Sequence, residues 1–369
     1  MVFNSIFFIF CFLPVFMLIY YLVPGKLRNL LLFLGSLIFY AWGEPVYVIL
    51  MLFSSIFNYY MGTELERLYY DDRKQKINLI FSIIINLAVL VFFKYYGFLL
   101  NTIGGIIGIH IPHPELSLPI GLSFYTFRNL SYLFDIYLSK VSAQRNFLTF
   151  AVYSTMFPYT SAGPIVRYTD IETQLKQRTI NISKFGTGAE LFVKGLAKKV
   201  LLADNLSVLY SSICGHPQMS VFTSWLGILA YTMQLYFDFS GYSDMAIGLG
   251  KMLGFDFNKN FDYPYISTSV SEFWRRWHIS LGSWFRDYIY IPLGGNRVST
   301  LKHIRNILVV WALTGLWHGA SWNFVLWGVY YGLFLLLEKF VLQKYLKKIP
   351  SWLCTVYTCL LYTSDAADD

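Results

Sequence analysis

The sequence predicts an all-α, multi-pass transmembrane helical protein with broken or re-entrant helices around an intramembrane site. Of the 369 residues, 56% are hydrophobic and only 14% are charged, whereas about 25% of the residues in a soluble domain are charged. The mean hydropathy is +0.49. Apolar runs of roughly 20 residues, long enough to cross a bilayer, recur along nearly the whole chain. A β-barrel would instead show short alternating segments, so that class is excluded.

The distribution of Lys and Arg gives a draft topology, because cytoplasmic loops carry the excess of basic residues. Residues 5–23 are predicted to form a retained helix with an external N-terminus, since no basic residue precedes them while Lys26 and Arg28 follow. The loop at residues 64–76 is then cytoplasmic, and the loop at residues 101–117 is external. The spans in this part of the chain are expected at residues 27–42, 46–61, 77–100 and 119–138.

The second half of the chain departs from this regular pattern. Residues 147–165 are apolar but contain Pro158 and Pro164, which predicts a re-entrant or broken element shielded from lipid by protein. Further spans are expected at residues 190–213 and 221–237. From residue 238 to residue 305 we expect only short amphipathic pieces, and this central region is where a site is predicted.

A single domain is predicted over residues 1–362, because no tandem repeat and no linker divides the chain. Residues 363–369 form an abruptly acidic tail that is expected to lie outside the fold. The net charge is +8, but the bases cluster in the connections, which favours contact with anionic lipid over nucleic-acid binding. No metal site is predicted: the four cysteines lack a CxxC pair, and His110 and His113 have no carboxylate partner.

Two histidines are the leading candidates for catalytic residues. His318 lies in a stretch from residue 306 to residue 337 that contains no Lys, Arg, Asp or Glu, and His278 ends the segment Trp-Arg-Arg-Trp-His. An ionisable side chain at membrane depth is costly and therefore marks a functional site. Histidine also suits proton transfer near neutral pH. The structural alternative is a core imidazole that hydrogen-bonds to a neighbouring helix.

The polar segment at residues 234–244 places Asp238 and Asp244 in apolar surroundings, where each carboxylate needs a partner. Two interpretations stay open: hydrogen bonding that holds broken helices together, and lining of a substrate site. Three glycines at residues 248–254 have the wrong spacing for a dinucleotide fingerprint and predict close helix packing. Tryptophan and arginine at residues 271–297 are typical of an amphipathic segment at the membrane interface.

These segments, in this order, resemble the membrane-bound O-acyltransferase family. The resemblance is carried by Phe-Asp-Phe-Ser-Gly-Tyr-Ser-Asp at residues 237–244, Glu-Phe-Trp-Arg-Arg-Trp-His-Ile-Ser-Leu at 272–281 and Trp-His-Gly at 317–319. It extends over nearly the whole chain through residues 39–45, 118–121, 162–165 and 195–199. Residues 288–297 are similar to the bacterial alginate O-acetyltransferase branch. The teichoic-acid D-alanyl transfer branch shares both histidine motifs but is less similar in that segment.

Two features depart from the family pattern. Arg128 stands between Phe127 and Asn129, where relatives carry Gln after the Phe, so we expect the helix that contains it to pack or pair differently. Members of this branch are usually longer, which predicts a shortened C-terminus, and residues 351–362 are too short to span a bilayer.

The resemblance implies transfer of an acetyl group through the inner cell membrane. The donor would be a cytoplasmic thioester, acetyl-CoA or another acyl thioester, with no bound cofactor, and the acceptors would be hydroxyls of an extracytoplasmic polysaccharide. The implied partners are an extracytoplasmic esterase-like acetyltransferase and membrane lipid, and no nucleic acid.

His318 is predicted to be the base that deprotonates the acceptor hydroxyl, since burial favours its neutral form, and His278 is predicted to orient a substrate or the donor. Alternatives are D-alanyl transfer to teichoic acid, a polar-solute transporter and a membrane scaffold. Transporters often show two matching halves, which are not evident, and a scaffold would leave both histidines without a purpose. The predicted substrate-binding residues are Asp238, Asp244, Trp274, Trp317 and Asn323.

Overall fold

The computed structural model describes residues 1–114, 116–216 and 219–363, and every regular element in these residues is helical. This confirms the predicted all-α fold. The chain divides into two compact units: unit 1 comprises Met1–Gly186 and Gly250–Phe257, and unit 2 comprises Thr187–Leu249 and Asn258–Asp369. The domain predicted for residues 1–362 thus contains two compact units. The predicted tail lies, apart from its first residue, outside the described residues.

The first regular element of unit 1 is a π-helical turn, Phe8–Phe12, which continues into the helix Leu13–Leu22. The Asp71 carboxylate caps the helix Asp72–Lys94 by accepting a hydrogen bond from the Lys74 N–H at 3.1 Å. Gly121 precedes the helix Leu122–Tyr137 with a φ of +73°, and a Cβ there would overlap the Thr160 carbonyl oxygen. The helices are α1 (Leu13–Leu22), α2 (Arg28–Gly43), α3 (Val48–Arg67), α4 (Asp72–Lys94), α5 (Tyr96–Ile107), α6 (Leu122–Tyr137), α7 (Phe147–Thr155) and α8 (Tyr168–Lys176).

Unit 2 contains most of the helices Ile182–Ala197 and Val221–Met252, and it contains the helix between them and the later helices in full. Three of its elements are π-helical: Lys198–Ala203, Arg286–Tyr290 and Glu338–Leu342. The α-helices are α9 (Ile182–Ala197), α10 (Asp204–Cys214), α11 (Val221–Met252), α12 (Val270–Arg276), α13 (Ile279–Phe285), α14 (Thr300–His318), α15 (Trp322–Leu337), α16 (Gln343–Leu346) and α17 (Ser351–Thr363).

Three helical segments of the described chain are long and apolar enough to cross a bilayer: Val48–Arg67, Asp72–Lys94 and Trp322–Leu346. The first two are α3 and α4, at the spans predicted for residues 46–61 and 77–100. The third covers α15, a π-helical turn and α16. The direction in which each segment crosses the membrane stays a prediction.

The broken element predicted at residues 147–165 is present in unit 1. Helix α7 ends at Thr155, and a single 3-10 turn, Phe157–Tyr159, contains the first of the two prolines. The last carbonyls of a helix have no partner within the helix, and here side chains supply the donors. The Tyr159 hydroxyl donates to the Tyr153 carbonyl at 2.9 Å, and the Thr160 hydroxyl donates to the Thr155 carbonyl at 2.7 Å.

Arg128 on α6 supplies two further donors at this break. Its side chain is fully buried; Nη1 donates to the Tyr159 carbonyl and Nη2 donates to the Ser154 carbonyl at 3.0 Å. The guanidinium carbon also lies 4.6 Å from the centroid of the Tyr159 ring. These hydrogen bonds offset part of the cost of burying the charge. Arg128 therefore joins α6 to the broken segment.

We expect Arg128→Met to lower the melting temperature of the detergent-purified protein clearly. The variant leaves two buried carbonyls without donors, and each unsatisfied buried group costs about 1–3 kcal/mol. The matched control is Arg67→Met, because Arg67 is an exposed arginine that pairs with Glu64 on the same helix, and exposed pairs contribute about 0–1 kcal/mol. Equal melting temperatures for the two variants would contradict the role of Arg128 at the helix break.

The structure corrects the prediction that residues 238–305 contain only short pieces. Helix α11 continues without a break past Asp238 to Met252. The glycines in this part of α11 serve helix packing, as predicted for Gly248: a Cβ on Gly241 would lie 2.8 Å from the Gly195 carbonyl oxygen, and one on Gly248 would lie 2.6 Å from the Gly188 carbonyl oxygen. These contacts bring the backbones of α9 and α11 close together.

Candidate active site

His278 and His318 line the same cavity in unit 2. The cavity has a volume of about 330 Å³ and is lined by residues of α12, α13, α14 and α15 and of the π-helical turn after α13. Trp274, Trp311 and Leu335 form part of its apolar wall, and a few polar side chains interrupt that wall. A mainly apolar cavity with a small number of polar groups is typical of a small-molecule site.

His318 is the last residue of α14. Its ring lies edge-on to the Trp327 ring of α15, with 4.8 Å between the centroids. Two glycines set the separation of these helices: a Cβ on Gly315 would overlap the Phe324 carbonyl oxygen, and one on Gly328 would overlap the Trp311 carbonyl oxygen. Because neither residue carries a Cβ, the two backbones approach closely and fix the end of α14 against α15.

The indole of Trp317 contacts both predicted catalytic histidines. Its ring centroid lies 5.8 Å from that of His278 and 5.1 Å from that of His318. The structure therefore brings together side chains from two sequence motifs that a long stretch of chain separates.

The backbone of His278 has an unusual conformation. This residue stands between α12 and α13 with φ +42° and ψ +56°, in the left-handed region, where residues other than glycine are uncommon. Its carbonyl accepts a hydrogen bond from the Leu281 N–H at 3.0 Å, and the residue is only 3% exposed. Such conformations cost energy and cluster at functional sites, so the geometry supports a functional role for His278.

Asn260 determines which nitrogen of His278 carries the hydrogen. The Ser280 N–H donates to Asn260 Oδ1 at 3.1 Å, and the Ser280 hydroxyl donates to the same atom at 2.8 Å, so the amide oxygen must face this side. His278 Nδ1 lies 3.2 Å from that oxygen. Because a carbonyl oxygen only accepts hydrogen bonds, Nδ1 carries the hydrogen, and Nε2 is the basic nitrogen of the neutral ring.

The amide of Asn260 is held in turn by α11. Its Nδ2 donates to the Ser243 hydroxyl at 3.1 Å, and both residues are 1% exposed. Asn260 and Ser280 were missed as site residues by sequence reasoning. Ser243 lies in the motif at residues 237–244 and Ser280 lies in the motif at residues 272–281, which was a usable signal. Nothing near Asn260 in the sequence indicates that it belongs to the site.

The other predicted substrate-binding residues are placed as follows. Trp274 lines the cavity and Trp317 contacts both histidines. Asp244 pairs with Lys198 at 2.6 Å, and Asp238 pairs with Lys199 at 3.0 Å. These ion pairs join α11 to the π-helical segment after α9, which supports the interpretation that the carboxylates hold helices together.

Asn323 lies exposed in the first turn of α15. Within the described part of unit 2, the structure therefore brings His278, His318, Trp274 and Trp317 together and places Asp238, Asp244 and Asn323 elsewhere. Their roles in substrate binding stay predictions.

The chain is similar to known proteins over most of its length. Residues 42–347 match the family model described as MBOAT, membrane-bound O-acyltransferase family. The chain is 45% identical to the probable alginate O-acetylase AlgI of Pseudomonas aeruginosa, over 92% of this chain and 66% of that protein. It is 35% identical to the peptidoglycan O-acetyltransferase of Helicobacter pylori, over 96% of this chain and 75% of that protein.

A more distant relative is the teichoic acid D-alanyltransferase of Bacillus subtilis, 27% identical over 66% of this chain and 64% of that protein. The chain spans about two thirds of the length of the alginate O-acetylases that it matches. The family model covers most of the chain, both histidine motifs lie inside the matched range, and the helices include segments able to cross a bilayer. The chain therefore belongs to the membrane-bound O-acyltransferase family, in the branch of the alginate O-acetylase-like proteins.

Proposed function

We propose that this protein is a polysaccharide O-acetyltransferase of the inner cell membrane. It takes an acetyl group from a cytoplasmic thioester, acetyl-CoA or another acyl thioester, and delivers it to hydroxyls of an extracytoplasmic polysaccharide. The observation that carries the proposal is the pair of histidines, His278 and His318, on one mainly apolar cavity. The names of the relatives with higher identity, which concern alginate and peptidoglycan O-acetylation, support acetyl as the transferred group.

His318 is the general base in this proposal. The acceptor hydroxyl loses its proton to the imidazole as its oxygen attacks the thioester carbonyl, and the carbon–sulfur bond breaks to release the thiolate. The protonated imidazole then returns the proton to the sulfur. A positioned base of this kind contributes about 10² to 10⁴ in rate.

His278 orients a substrate in this proposal. With Nδ1–H donated to Asn260, the basic Nε2 can accept a hydrogen bond from a hydroxyl or a thiol at the cavity. The fixed tautomer also prevents the ring from presenting a donor there. Where the acceptor hydroxyl belongs to an extracytoplasmic esterase-like acetyltransferase, that partner would carry the acetyl group on to the polysaccharide.

The test uses purified protein with radiolabelled acetyl-CoA, alone and with alginate or peptidoglycan fragments. We expect label to appear in the glycan as a base-labile ester, and to appear only when His318 is intact. A parallel reaction with a D-alanyl thioester and teichoic acid tests the alternative function. Transfer of D-alanine without transfer of acetyl would overturn the proposal.

We expect Asn260→Ala to reduce transfer by about tenfold or more, because loss of a buried hydrogen-bond partner costs about 1–3 kcal/mol and about 1.4 kcal/mol is a factor of ten. Ser243→Ala is the matched control and should cause a smaller loss, since it leaves the contact between Asn260 and His278 in place. Both variants should reach the membrane at normal levels, and the melting temperature should fall more for Asn260→Ala, because its loss leaves buried groups of Ser280 without an acceptor.

Asn260→Asp separates positioning of His278 from a general structural role. A carboxylate beside Nδ1 favours the protonated imidazole, so the acid limb of the pH–rate profile should move to higher pH. An unchanged profile at normal expression would show that Asn260 does not act through His278.

A further inference from the structure

Two arginines of unit 1 lie against the same buried tyrosine. Tyr20 on α1 is fully buried, and the guanidinium carbons of Arg28 and Arg178 each lie 5.7 Å from the centroid of its ring. Arg28 begins α2 and Arg178 follows α8, so distant parts of the chain bring two positive charges to one ring. Like charges repel each other, and a shared anion would offset that repulsion.

Arg178 is held in place by neutral groups. Its Nε donates to the Tyr20 hydroxyl at 2.7 Å, and its Nη1 donates to Asn29 Oδ1 at 2.8 Å. The Asn29 amide nitrogen donates in turn to the Leu175 carbonyl at 3.0 Å, and the guanidinium carbon lies 4.8 Å from the centroid of the Phe255 ring. Nη2 makes no hydrogen bond with any residue in the described ranges. The guanidinium is therefore fixed in position, with donors left over and its charge not neutralised.

The guanidinium of Arg28 has no polar partner. Within the part of the chain that the structure describes, it forms neither a hydrogen bond nor an ion pair, and its Nε is buried. Two acidic side chains on the segments that contact this cluster are already paired: Glu172 with Lys176 at 2.8 Å, and Asp256 with Lys184 at 2.6 Å. A buried donor without an acceptor is costly, so the two arginines together favour an anion from outside the chain.

Exposed apolar side chains flank Tyr20 and Arg28 along the chain. Leu18 and Leu22 are exposed on α1, and Leu30 and Leu34 are exposed on α2. Each pair shares one face of its helix, because residues four apart lie on the same side. The predicted topology puts the turn between α1 and α2 at the cytoplasmic surface of the membrane, where lipid headgroups lie. An anion with an apolar part therefore fits this place better than a soluble ion.

We propose that Arg28 and Arg178 bind the phosphate of an anionic phospholipid of the membrane. Both guanidinium groups donate hydrogen bonds to phosphate oxygens, an arrangement to which arginine is well suited. The acyl chains lie along the exposed leucines of α1 and α2. A free phosphate ion offers the same oxygens but has no apolar part to cover these leucines. The bound headgroup joins α1, α2 and the segment after α8, and acetyl transfer has no part in it.

The experiment measures the melting temperature of the purified full chain in detergent, with and without dioleoylphosphatidylglycerol. At about ten times its dissociation constant we expect this lipid to raise the melting temperature by about 2 °C, since a ligand that binds the folded state stabilises it. Dioleoylphosphatidylcholine has the same chains but no net charge, and it should have a clearly smaller effect. Inorganic phosphate and glycerol phosphate, which have no chains, should have none at the same concentration.

Arg28→Gln is the main variant, because it removes a charge that makes no polar contact with the described protein. It should melt like the wild type without lipid and lose the gain from phosphatidylglycerol. Arg73→Gln is the matched control: it makes the same change at an exposed arginine of α4 on the same predicted side of the membrane, and it should keep the wild-type gain. Arg28→Lys, which keeps the charge but not the planar donor group, should keep part of it.

A second measurement counts the lipid directly. Native mass spectrometry should show one more tightly retained phosphatidylglycerol on the wild type than on Arg28→Gln. Equal gains from phosphatidylglycerol and phosphatidylcholine in the wild type would overturn the proposal, and so would Arg28→Gln with the wild-type gain and lipid count. A gain from inorganic phosphate equal to that from the lipid would contradict a phospholipid site. None of these measurements requires acetyl transfer, so failure of the proposed function is a separate result.

Discussion

Replacement of His318 by alanine should abolish detectable acetyl transfer. The side chain is the proposed base for the acceptor hydroxyl, and loss of a general base costs about 10² to 10⁴ in rate. His318→Gln should fail as well, because the amide keeps approximate size and hydrogen bonding but cannot accept a proton near neutral pH. The measurement is incorporation of labelled acetyl into a glycan at saturating donor.

Both His318 variants should insert into the membrane and melt like the wild type. His110→Gln is the matched control, since it makes the same chemical change at an exposed imidazole in unit 1, and it should keep wild-type transfer. Substantial activity of His318→Gln at normal expression would mean that the imidazole has a packing role, and the mechanism proposed above would be wrong.

Gly328→Ala should reduce transfer by about 10²-fold although every predicted catalytic residue is retained. A Cβ at this position would overlap the Trp311 carbonyl oxygen on α14, and because that atom is backbone, the helices must move apart. Such a shift displaces His318 relative to Trp327, and a misplacement of about 1 Å can cost about 10²-fold in rate. The rate should fall in kcat, with the protein still folded.

The control for this variant is Gly105→Ala on α5. No atom lies within 4 Å of the position that a Cβ would occupy at Gly105, so its backbone need not move, and transfer should match the wild type. If Gly328→Ala also keeps wild-type transfer, the close approach of α14 and α15 does not position His318.

The sequence by itself determined the fold class, and it singled out the two histidines that the structure places on one cavity. Composition and the lengths of the apolar runs were sufficient for the all-α fold, because helices satisfy their backbone hydrogen bonds within one segment and lipid offers no other partner. His318 was identifiable because an ionisable group in a stretch without charged residues is rare for energetic reasons. The prolines similarly revealed the break after α7, since proline at these positions interrupts backbone hydrogen bonding.

Only the tertiary structure decided how the polar residues are partnered. The sequence predicted an irregular region from Asp238 onward, but α11 continues through it. The partners of this part of α11, which are Lys199 and the backbone of α9, come from another part of the chain. Asn260 has no local signal at all, since its role depends on atoms of Ser243, His278 and Ser280 that folding brings to it.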